Sequence, residues 1–558
     1  MKARPFARLH LFVVAVLIAS PQVEAQQREL TPQQKRSRAV RQKLKAIGVK
    51  PQRAKVLKPD GIETRLDVVY AKYGDRELHL DLLMPRKRSK QTAAIVVVHG
   101  GAWHKGDRQS FHALAENFAM RGYVTAAIEY RLADEAKFPA AVHDCNAATR
   151  WLRANAAELQ IDPNRIAAVG GSAGGHLVGL MGAAAGVKEL QGDGGNPNQS
   201  SELRAVAVLA GPMQMTTGSV ADRSRKVPNE SNSNRWIGKS IDEAPELYSL
   251  AAPFKHLSAK TPPMIFLAGE YDKPSRNQPT RAKLSAFGVP TAVRSYSFGL
   301  HACWNQTPWM QPMAADIDDF FRSVLGDPGG ERQPFQIDAA GEVLAFHDRV
   351  EVAIGKLEKQ TKIEIPRLNN PIGKVYIKGT DTEVPLKPLL TTWELKVPVA
   401  ASDKGIVVET IGQPDLPVLP RVVSANADGT VTLPAHEAVT HGKLLRYEPQ
   451  PHKNTVGYWA NPKDWVEWHF YCEKPGDYAL HILQGCGKGH GGSEVDVKIG
   501  KQVVSFVVED TGHFQNFKDR ETGLFTIEKP GVYNLQVRAK KKAKVAVMDV
   551  RQVRLVPQ

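Results

Sequence analysis

The sequence is poor in cysteine and in long apolar runs. Four cysteines among 558 residues are too few for the dense disulfide framework of small secreted domains, so hydrophobic cores must hold the fold. Residues 11–19 form the longest apolar run, which is less than half of the about 20 residues that a membrane-spanning helix needs. With 42% hydrophobic and 24% charged residues, the composition predicts several globular domains and no membrane span.

The first 25 residues have the pattern of a secretory signal peptide. Lys2, Arg4 and Arg8 precede the apolar run, and Ala25 ends the segment, which predicts cleavage after Ala25. No cysteine lies near that position, so a lipid anchor is not expected. The mature chain is therefore expected to be secreted or periplasmic.

The formal net charge of +16 is concentrated near the N-terminus. Residues 26–60 contain eleven Lys and Arg against Glu29 and Asp60, and no nucleic-acid-binding motif accompanies them. A solvated basic linker over residues 26–62 is the simpler interpretation, although such an arm could also touch an anionic surface. No nucleic-acid partner is predicted.

Residues 63–330 alternate strand-like and helical patterns. The strands are short and almost entirely apolar, so both faces of the sheet must be covered, which predicts a mostly parallel α/β sheet with helices on both faces. The predicted strands are 66–70, 78–83, 94–99, 124–130, 166–169, 205–210, 264–268 and 293–297, and the predicted helices are 110–121, 139–159, 175–185, 279–287 and 314–325.

The pattern changes after the turn at residues 327–330. From there the chain alternates with period two and has frequent Gly, Pro and Asn-Asp turns, which predicts all-β sandwich domains. A break near residues 417–421 divides this tail into a sandwich at 331–420 and a second one at 421–558.

A short apolar strand leads into Gly170-Gly171-Ser172-Ala173-Gly174 and then into an apolar helix. This is the G-x-S-x-G pattern at a strand-to-helix turn, which exposes the serine hydroxyl at the edge of the sheet. A phosphate-binding loop would need a Gly-Lys-Ser/Thr sequence that is absent, and a plain glycine turn is the remaining alternative. Ser172 is the predicted nucleophile.

A second glycine turn follows the strand at residues 94–98, in His99-Gly100-Gly101-Ala102-Trp103. Backbone N–H groups of such a loop can turn inward and, with the N–H group after the nucleophile, bind the oxyanion of a tetrahedral intermediate. Gly101, Ala102 and Ala173 are therefore the predicted oxyanion-hole donors.

The acid and the base should follow the serine in the order Ser, Asp, His. Asp272 follows a predicted strand and is the expected acid, with Glu270 as the alternative, and His301 is the expected base. No closely spaced ligand set indicates a metal, and no cofactor is predicted. Four other histidines are interpreted as structural or surface groups: His104, His112, His143 and His176.

These motifs, together with Glu129-Tyr130-Arg131-Leu132 and Gly174-Gly175-His176-Leu177, resemble the hormone-sensitive-lipase-like α/β-hydrolases. Within that group, residues 63–326 are most similar to the bacterial bifunctional feruloyl and acetylxylan esterases. The resemblance implies an α/β hydrolase fold and a serine esterase. Ala102-Trp103 stands where many relatives have a third glycine, and His301-Ala302-Cys303-Trp304 stands where a small residue commonly follows the histidine. By this resemblance both departures touch the acyl and leaving-group pockets, so Trp103 and Trp304 are predicted to bind the substrate.

The tail resembles the C-terminal sandwich modules of some bacterial α-L-fucosidases. The similar stretches are 365–379, 457–459, 465–468 and 529–533. Along the strand through residues 464–470, Trp468 lies on the expected core face and Trp465 on the other face. Trp459 and Trp465 could form a sugar-stacking surface, although buried aromatics are the commoner outcome. On the strength of the resemblance, glycan binding by the tail is one hypothesis for its function.

The sequence predicts a secreted serine esterase that removes acetyl or feruloyl-type groups, acting on an acylated carbohydrate or a small ester through an acyl-enzyme. A serine exopeptidase with the same triad is one alternative, although such enzymes usually carry a large N-terminal β-propeller. A glycan-binding protein with an inactive hydrolase domain is another.

The four cysteines are Cys145, Cys303, Cys472 and Cys486. If residues 472–486 formed a hairpin, Cys472 would face a residue near 479 and Cys486 would lie about 23 Å further on, at about 3.3 Å per residue. No disulfide between Cys472 and Cys486 is therefore predicted.

Overall fold

The computed structural model describes residues 30–89, 91–337 and 342–558. The predicted signal peptide lies outside these residues. The chain divides into two compact units, Met1–Val49 and Lys50–Gln558. In the first unit, helix α1 (Pro32–Ala46) begins with a capping box, in which Thr31 and Gln34 bind each other's backbone N–H groups. This helix stands where the sequence predicts a linker.

The first residues of the second unit form hydrogen bonds with the region predicted to be the hydrolase. The N–H groups of Leu57 and Lys58 donate to the Glu116 carboxylate, and a two-stranded sheet joins β1 to β10. The strands up to that point are β1 (Gln52–Arg53), β2 (Ile62–Tyr73), β3 (Arg76–Pro85), β4 (Thr92–Val98), β5 (Val124–Ile128), β6 (Ile161–Gly171), β7 (Ala205–Leu209), β8 (Met264–Gly269), β9 (Thr291–Tyr296) and β10 (Gln306–Thr307). The last residues of the predicted linker are therefore part of the folded unit, because their backbone groups hydrogen-bond to Glu116 and to β10.

Eight strands form the hydrolase sheet in the order β2-β3-β5-β4-β6-β7-β8-β9. The pairs from β5 to β9 are parallel, and β2 and β3 are antiparallel to their neighbours. Every residue of β4 is buried, as expected when both faces of a sheet are covered. The predicted α/β hydrolase fold class is confirmed.

The helices of this region are α2 (His112–Met120), α3 (Ala140–Ala154), α4 (Ala156–Leu159), α5 (Ala173–Ala183), α6 (Gly218–Lys226), α7 (Asn232–Ile237), α8 (Pro245–Leu250), α9 (Pro253–His256), α10 (Gln278–Ala286) and α11 (Met310–Leu325). The sequence pattern does not predict α6 to α9. These four are short, and their segment is rich in Ser, Asn and Pro, so no apolar periodicity marks them.

The first part of the tail is a pair of sheets, β11-β12-β13-β18-β15 and β14-β17-β16. Trp393 is fully buried in their core. The strands are β11 (Phe335–Gln336), β12 (Val343–Ala345), β13 (Arg349–Val352), β14 (Thr361–Pro366), β15 (Ile372–Ile377), β16 (Leu386–Pro388), β17 (Thr392–Val397) and β18 (Ile406–Thr410).

The second part of the tail also has two sheets, and one of them continues the hydrolase sheet. Strand β19 pairs antiparallel with β9 and parallel with β24, so the order runs on as β9-β19-β24-β29-β26-β27. The other sheet is β22-β23-β30-β25-β28. The strands are β19 (Arg421–Ser424), β20 (Val431–Pro434), β21 (Val439–His441), β22 (Arg446–Glu448), β23 (Thr455–Gly457), β24 (Trp465–Cys472), β25 (Gly476–Cys486), β26 (Glu494–Ile499), β27 (Gln502–Val507), β28 (His513–Ile527), β29 (Gly531–Lys541) and β30 (Asp549–Pro557).

Strands β24 and β25 do not form a hairpin, because they belong to opposite sheets of the second sandwich. The turn between them carries the chain across the core instead. Cys472 and Cys486 are both buried and unpaired, as are Cys145 and Cys303. No helix in the described part of the chain has the length and apolar character needed to cross a membrane.

Candidate active site

Ser172 lies at the sharp turn between β6 and α5. Its φ of 55° is in the left-handed region, where a non-glycine residue is strained. The turn also requires close backbone contacts. A Cβ atom on Gly174 would lie 2.1 Å from the Val98 carbonyl oxygen, and one on Gly170 would lie 2.4 Å from the Gly174 carbonyl oxygen. The small residues of the motif are therefore required by the packing of the turn.

The structure brings the three predicted triad residues into one hydrogen-bonded chain. Ser172 Oγ is 3.0 Å from His301 Nε2, and His301 Nδ1 is 2.6 Å from Asp272 Oδ2. Asp272 is buried, whereas the side chain of His301 is 41% exposed. The base can therefore face a substrate on one side and the acid on the other.

Arg276 and Glu270 hold Asp272 and the loop before His301 in place. Arg276 Nη2 is 3.1 Å from Asp272 Oδ1, and its Nη1 donates to the Ala210 carbonyl oxygen at 2.8 Å. Glu270, the alternative acid, instead accepts a hydrogen bond from the Phe298 N–H at 2.9 Å. The spacing of four residues between Asp272 and Arg276 is the signal that could have identified Arg276.

The predicted oxyanion donors lie in a loop with an unusual backbone. Gly101, Ala102 and Trp103 all have positive φ, and a Cβ atom on Gly101 would lie 1.8 Å from the Lys105 carbonyl oxygen. Within residues 30–89, 91–337 and 342–558, the N–H groups of Gly101, Ala102 and Ala173 donate no hydrogen bond to another backbone group. The oxyanion-hole role of these N–H groups stays a prediction.

The two tryptophans predicted to contact substrate are buried behind the site. Trp103 stacks on Trp236 at 5.0 Å between ring centroids, and its Nε1 donates to His176 Nδ1 at 3.2 Å. Trp304 lies edge-to-face against His301 at 5.2 Å. Trp103 therefore packs against Trp236 of the unpredicted helix α7, and Trp304 packs against His301. Contact of either ring with a substrate stays a prediction.

His176 is neutral at physiological pH because burial lowers its pKa to about 4. Its Nε2 bonds the Ala251 carbonyl oxygen, so its other nitrogen accepts from Trp103. The other three histidines that the sequence predicts to be structural or surface groups also have partners: His104 bonds Asn232, His112 bonds Asp81, and His143 bonds the Glu189 carbonyl oxygen. These contacts agree with the predicted structural role.

Among the described residues of the tail, Trp459, Trp465 and Trp468 present no free ring face to a sugar. Trp459 and Trp468 are fully buried. Trp465 lies between its two cross-strand neighbours, with His441 stacked at 3.8 Å and the Arg538 guanidinium at 3.7 Å from its ring centroid. The hypothesis of a stacking surface on Trp459 and Trp465 is therefore wrong, because packing covers both rings.

Residues 80–282 match the BD-FAE family model, and residues 447–557 match a domain of unknown function, DUF5077. Among curated proteins, the chain is 30% identical over 203 residues to Esterase LipC of Mycobacterium tuberculosis, covering 36% of this chain and 50% of that protein. It is 42% identical over 108 residues to an arylesterase of Saccharolobus solfataricus, covering 19% of this chain and 35% of that protein. The chain thus spans half or less of the length of these two relatives.

Two solved structures are also similar to the chain. A truncated carbohydrate esterase from gut microbiota is 24% identical, with 47% of this chain and 95% of that chain covered and a TM-score of 0.41. A butyrate-bound thermophilic esterase from Thermogutta terrifontis is 26% identical, with 48% and 95% covered and a TM-score of 0.40. By the two family models, residues 80–282 of the α/β region are similar to the BD-FAE family, and residues 447–557 of the β-rich tail are similar to DUF5077.

Proposed function

We propose that the protein is a serine esterase whose nucleophile is Ser172. The observation that carries this proposal is the hydrogen-bonded chain from Ser172 through His301 to Asp272. Esterase relatives of the same domain support it. Within residues 30–89, 91–337 and 342–558, no group of three or more His, Cys, Asp or Glu side chains has the geometry of a metal site.

The proposed reaction has two halves. His301 Nε2 takes the proton of Ser172 Oγ as Oγ attacks the ester carbonyl carbon, and the same imidazole then protonates the departing alcohol, which leaves an acyl-enzyme. Water, activated by the same base, then attacks the acyl carbon and releases the acid. Asp272 keeps the proton of the imidazole on Nδ1 throughout.

The N–H groups of Gly101, Ala102 and Ala173 are proposed to bind the oxyanion of both tetrahedral intermediates. Loss of one such donor costs about 2.7–4 kcal/mol of transition-state stabilisation. We further propose that the acyl group is acetyl or feruloyl-type and that the alcohol belongs to a carbohydrate, because the domain matches the BD-FAE model. Secretion of the enzyme is part of this proposal.

The test compares the wild-type enzyme with Ser172→Ala on acetylated xylan, methyl ferulate, p-nitrophenyl acetate and an aminoacyl p-nitroanilide. Ser323→Ala is the matched control, because Ser323 is exposed on α11. We expect turnover of the esters by wild type and Ser323→Ala, and a fall in kcat of about 10⁴-fold or more in Ser172→Ala. Substantial ester hydrolysis by a folded Ser172→Ala enzyme would remove Ser172 from the mechanism. Preferred cleavage of the anilide would point to the exopeptidase.

A further inference from the structure

Trp103 occupies a strained position in the loop that carries two of the proposed oxyanion donors, Gly101 and Ala102. Its φ is 64° and that of Ala102 is 54°, a left-handed conformation that is unfavourable for residues other than glycine. Such a conformation persists only where the surrounding structure fixes it. The contacts of Trp103 therefore help to set the direction of the donor N–H groups.

The side chain of Trp103 is buried and held on several sides. Its Nε1 donates to His176 Nδ1 at 3.2 Å, and the two rings meet edge-to-face with centroids 5.3 Å apart. Trp236 stacks on the indole at 5.0 Å with 15° between the ring planes. The Trp103 carbonyl oxygen also accepts from the Ala133 N–H at 2.9 Å. Both the ring and the backbone of Trp103 thus have fixed positions.

His176 connects this loop to the nucleophile. It lies in the first turn of α5, and its N–H donates to the Ser172 carbonyl oxygen at 3.0 Å. Its side chain is fully buried, and Nε2 lies 2.8 Å from the Ala251 carbonyl oxygen. This one residue therefore joins three segments, which are the helix after the nucleophile, the loop at Trp103 and the connection between α8 and α9.

The two hydrogen bonds of the His176 imidazole require one protonation state. An indole N–H can only donate and a carbonyl oxygen can only accept, so Nδ1 carries a lone pair and Nε2 carries the proton. Burial lowers the pKa of His176 to about 4, so the imidazole stays neutral at neutral pH. The acceptor for the Trp103 N–H is therefore always present under these conditions.

We propose that Trp103 and His176 are positioning residues for the oxyanion hole. Their hydrogen bond ties the loop to α5 and so holds the N–H groups of Gly101 and Ala102 beside Ser172, where the substrate carbonyl oxygen becomes the oxyanion. His176 is fully buried and acts through Trp103. This inference rests on the proposed serine esterase mechanism and names the residues that set its oxyanion geometry.

The test uses the full-length protein with Trp103→Phe, which keeps an aromatic ring and removes the N–H donor. Trp459→Phe is the matched control, because Trp459 is fully buried in the tail and its Nε1 donates to the Asp464 carbonyl oxygen at 3.0 Å. The measurements are Tm, kcat and KM for p-nitrophenyl acetate, and Ki for an alkyl trifluoromethyl ketone. Ser172 Oγ adds to the carbonyl carbon of this ketone and its oxygen becomes the oxyanion, so Ki reports on the oxyanion hole.

We expect Trp103→Phe to lower kcat by about tenfold or more with little change in KM, and to raise Ki by a similar factor, because misplaced donors weaken binding of the oxyanion alone. Trp459→Phe loses an equivalent buried hydrogen bond and should lower Tm while keeping the wild-type kcat and Ki. The inference is overturned if Trp103→Phe has the wild-type kcat, if both variants lose kcat equally, or if kcat falls while Ki stays unchanged.

His176→Leu removes the other partner of the same hydrogen bond and should give the same pattern of kcat, KM and Ki. Since one bond is broken in both cases, Trp103→Phe/His176→Leu should lose no more kcat than His176→Leu alone. A wild-type kcat in His176→Leu, or losses that multiply in the double variant, would overturn the inference. Ester hydrolysis that survives in Ser172→Ala would instead refute the esterase mechanism, so the two failures are distinguishable.

Discussion

At the scale of single residues, the candidate active site depends on side chains that hold other side chains. Ser172 is held in a strained conformation by its turn, Asp272 is fixed by Arg276, and the loop before His301 is fixed by Glu270. Such groups reduce the number of arrangements open to the triad, so that its hydrogen bonds are formed before a substrate arrives.

We expect Arg276→Ala to lower kcat toward p-nitrophenyl acetate by about tenfold, because a hydrogen bond to a charged group is worth about 1.5–3 kcal/mol and this one is partly exposed. KM should change little, since Arg276 positions Asp272 rather than substrate. Arg276→Lys should recover part of the loss, because it keeps the charge without the fork. Arg235→Ala, which breaks the exposed ion pair with Asp134, is the control. A wild-type kcat in Arg276→Ala would refute the positioning role.

Asp549 gives a pH-dependent prediction about stability. Burial and the neighbouring Glu448 raise its pKa to about 8, against smaller opposing effects of Lys453 and Gln515. The neutral carboxyl contributes stability below the ordinary carboxyl pKa of about 4, and this contribution is lost as the pH rises toward 8. Asp549→Asn should therefore raise Tm at pH 8 by more than at pH 5, as measured by calorimetry. An equal change at both pH values would contradict the raised pKa.

The sequence predicts the polar side chains of the candidate active site better than it predicts the side chains that hold them in place. Ser172 and Asp272 follow short apolar strands, and His301 follows the next strand of the sheet, which makes their positions at one edge of the sheet predictable. Trp103 is buried against Trp236, which no local pattern reveals, because this contact joins residues far apart in the chain.

At the scale of secondary-structure elements, strands with strong apolar runs are predictable and short helices are not. All eight predicted strands of the hydrolase are present, whereas α6 to α9 carry too few apolar residues in register to be recognised. Strands β24 and β25 show a second limit. The turn between them has hairpin composition, yet the two strands pair in different sheets, because the choice of partner depends on tertiary packing.

The turn at Ser172 gives a prediction about α5. Gly174→Ala should abolish activity and lower Tm, because the new methyl would lie 2.1 Å from the Val98 carbonyl oxygen, which is backbone and cannot move away freely. Gly186→Ala, just after the same helix, has no atom within 4 Å of its added Cβ and should behave like wild type. Activity assays and circular dichroism of the two variants measure the effect. Wild-type activity and Tm in Gly174→Ala would show that the turn has room for a methyl group.

At the scale of the whole molecule, the hydrolase and the second sandwich share one continuous sheet through β19. Ion pairs reinforce this junction, with Arg421 on Asp316 and Arg281 on Glu473. The tail is therefore part of the structural support of the hydrolase, in addition to any role in binding.

Truncation after Gly330 should consequently lower both Tm and solubility, because it exposes the edge of β9 and removes the partners of Arg281 and Asp316. Residual soluble protein should still hydrolyse p-nitrophenyl acetate, since the triad precedes the cut. Calorimetry and sedimentation of the truncated and full-length proteins measure the effect. An equally stable, monodisperse truncated protein would show that the tail gives the hydrolase no support.

The most direct test of the central claim is covalent labelling of the nucleophile. Ser172 Oγ should attack the phosphorus of diethyl p-nitrophenyl phosphate, release p-nitrophenolate and keep a diethylphosphoryl group. We predict one equivalent of p-nitrophenolate, complete loss of esterase activity and, by peptide mass spectrometry, a single adduct on Ser172 that is absent from Ser172→Ala. Labelling of a different residue, or full activity after stoichiometric labelling of Ser172, would contradict the account.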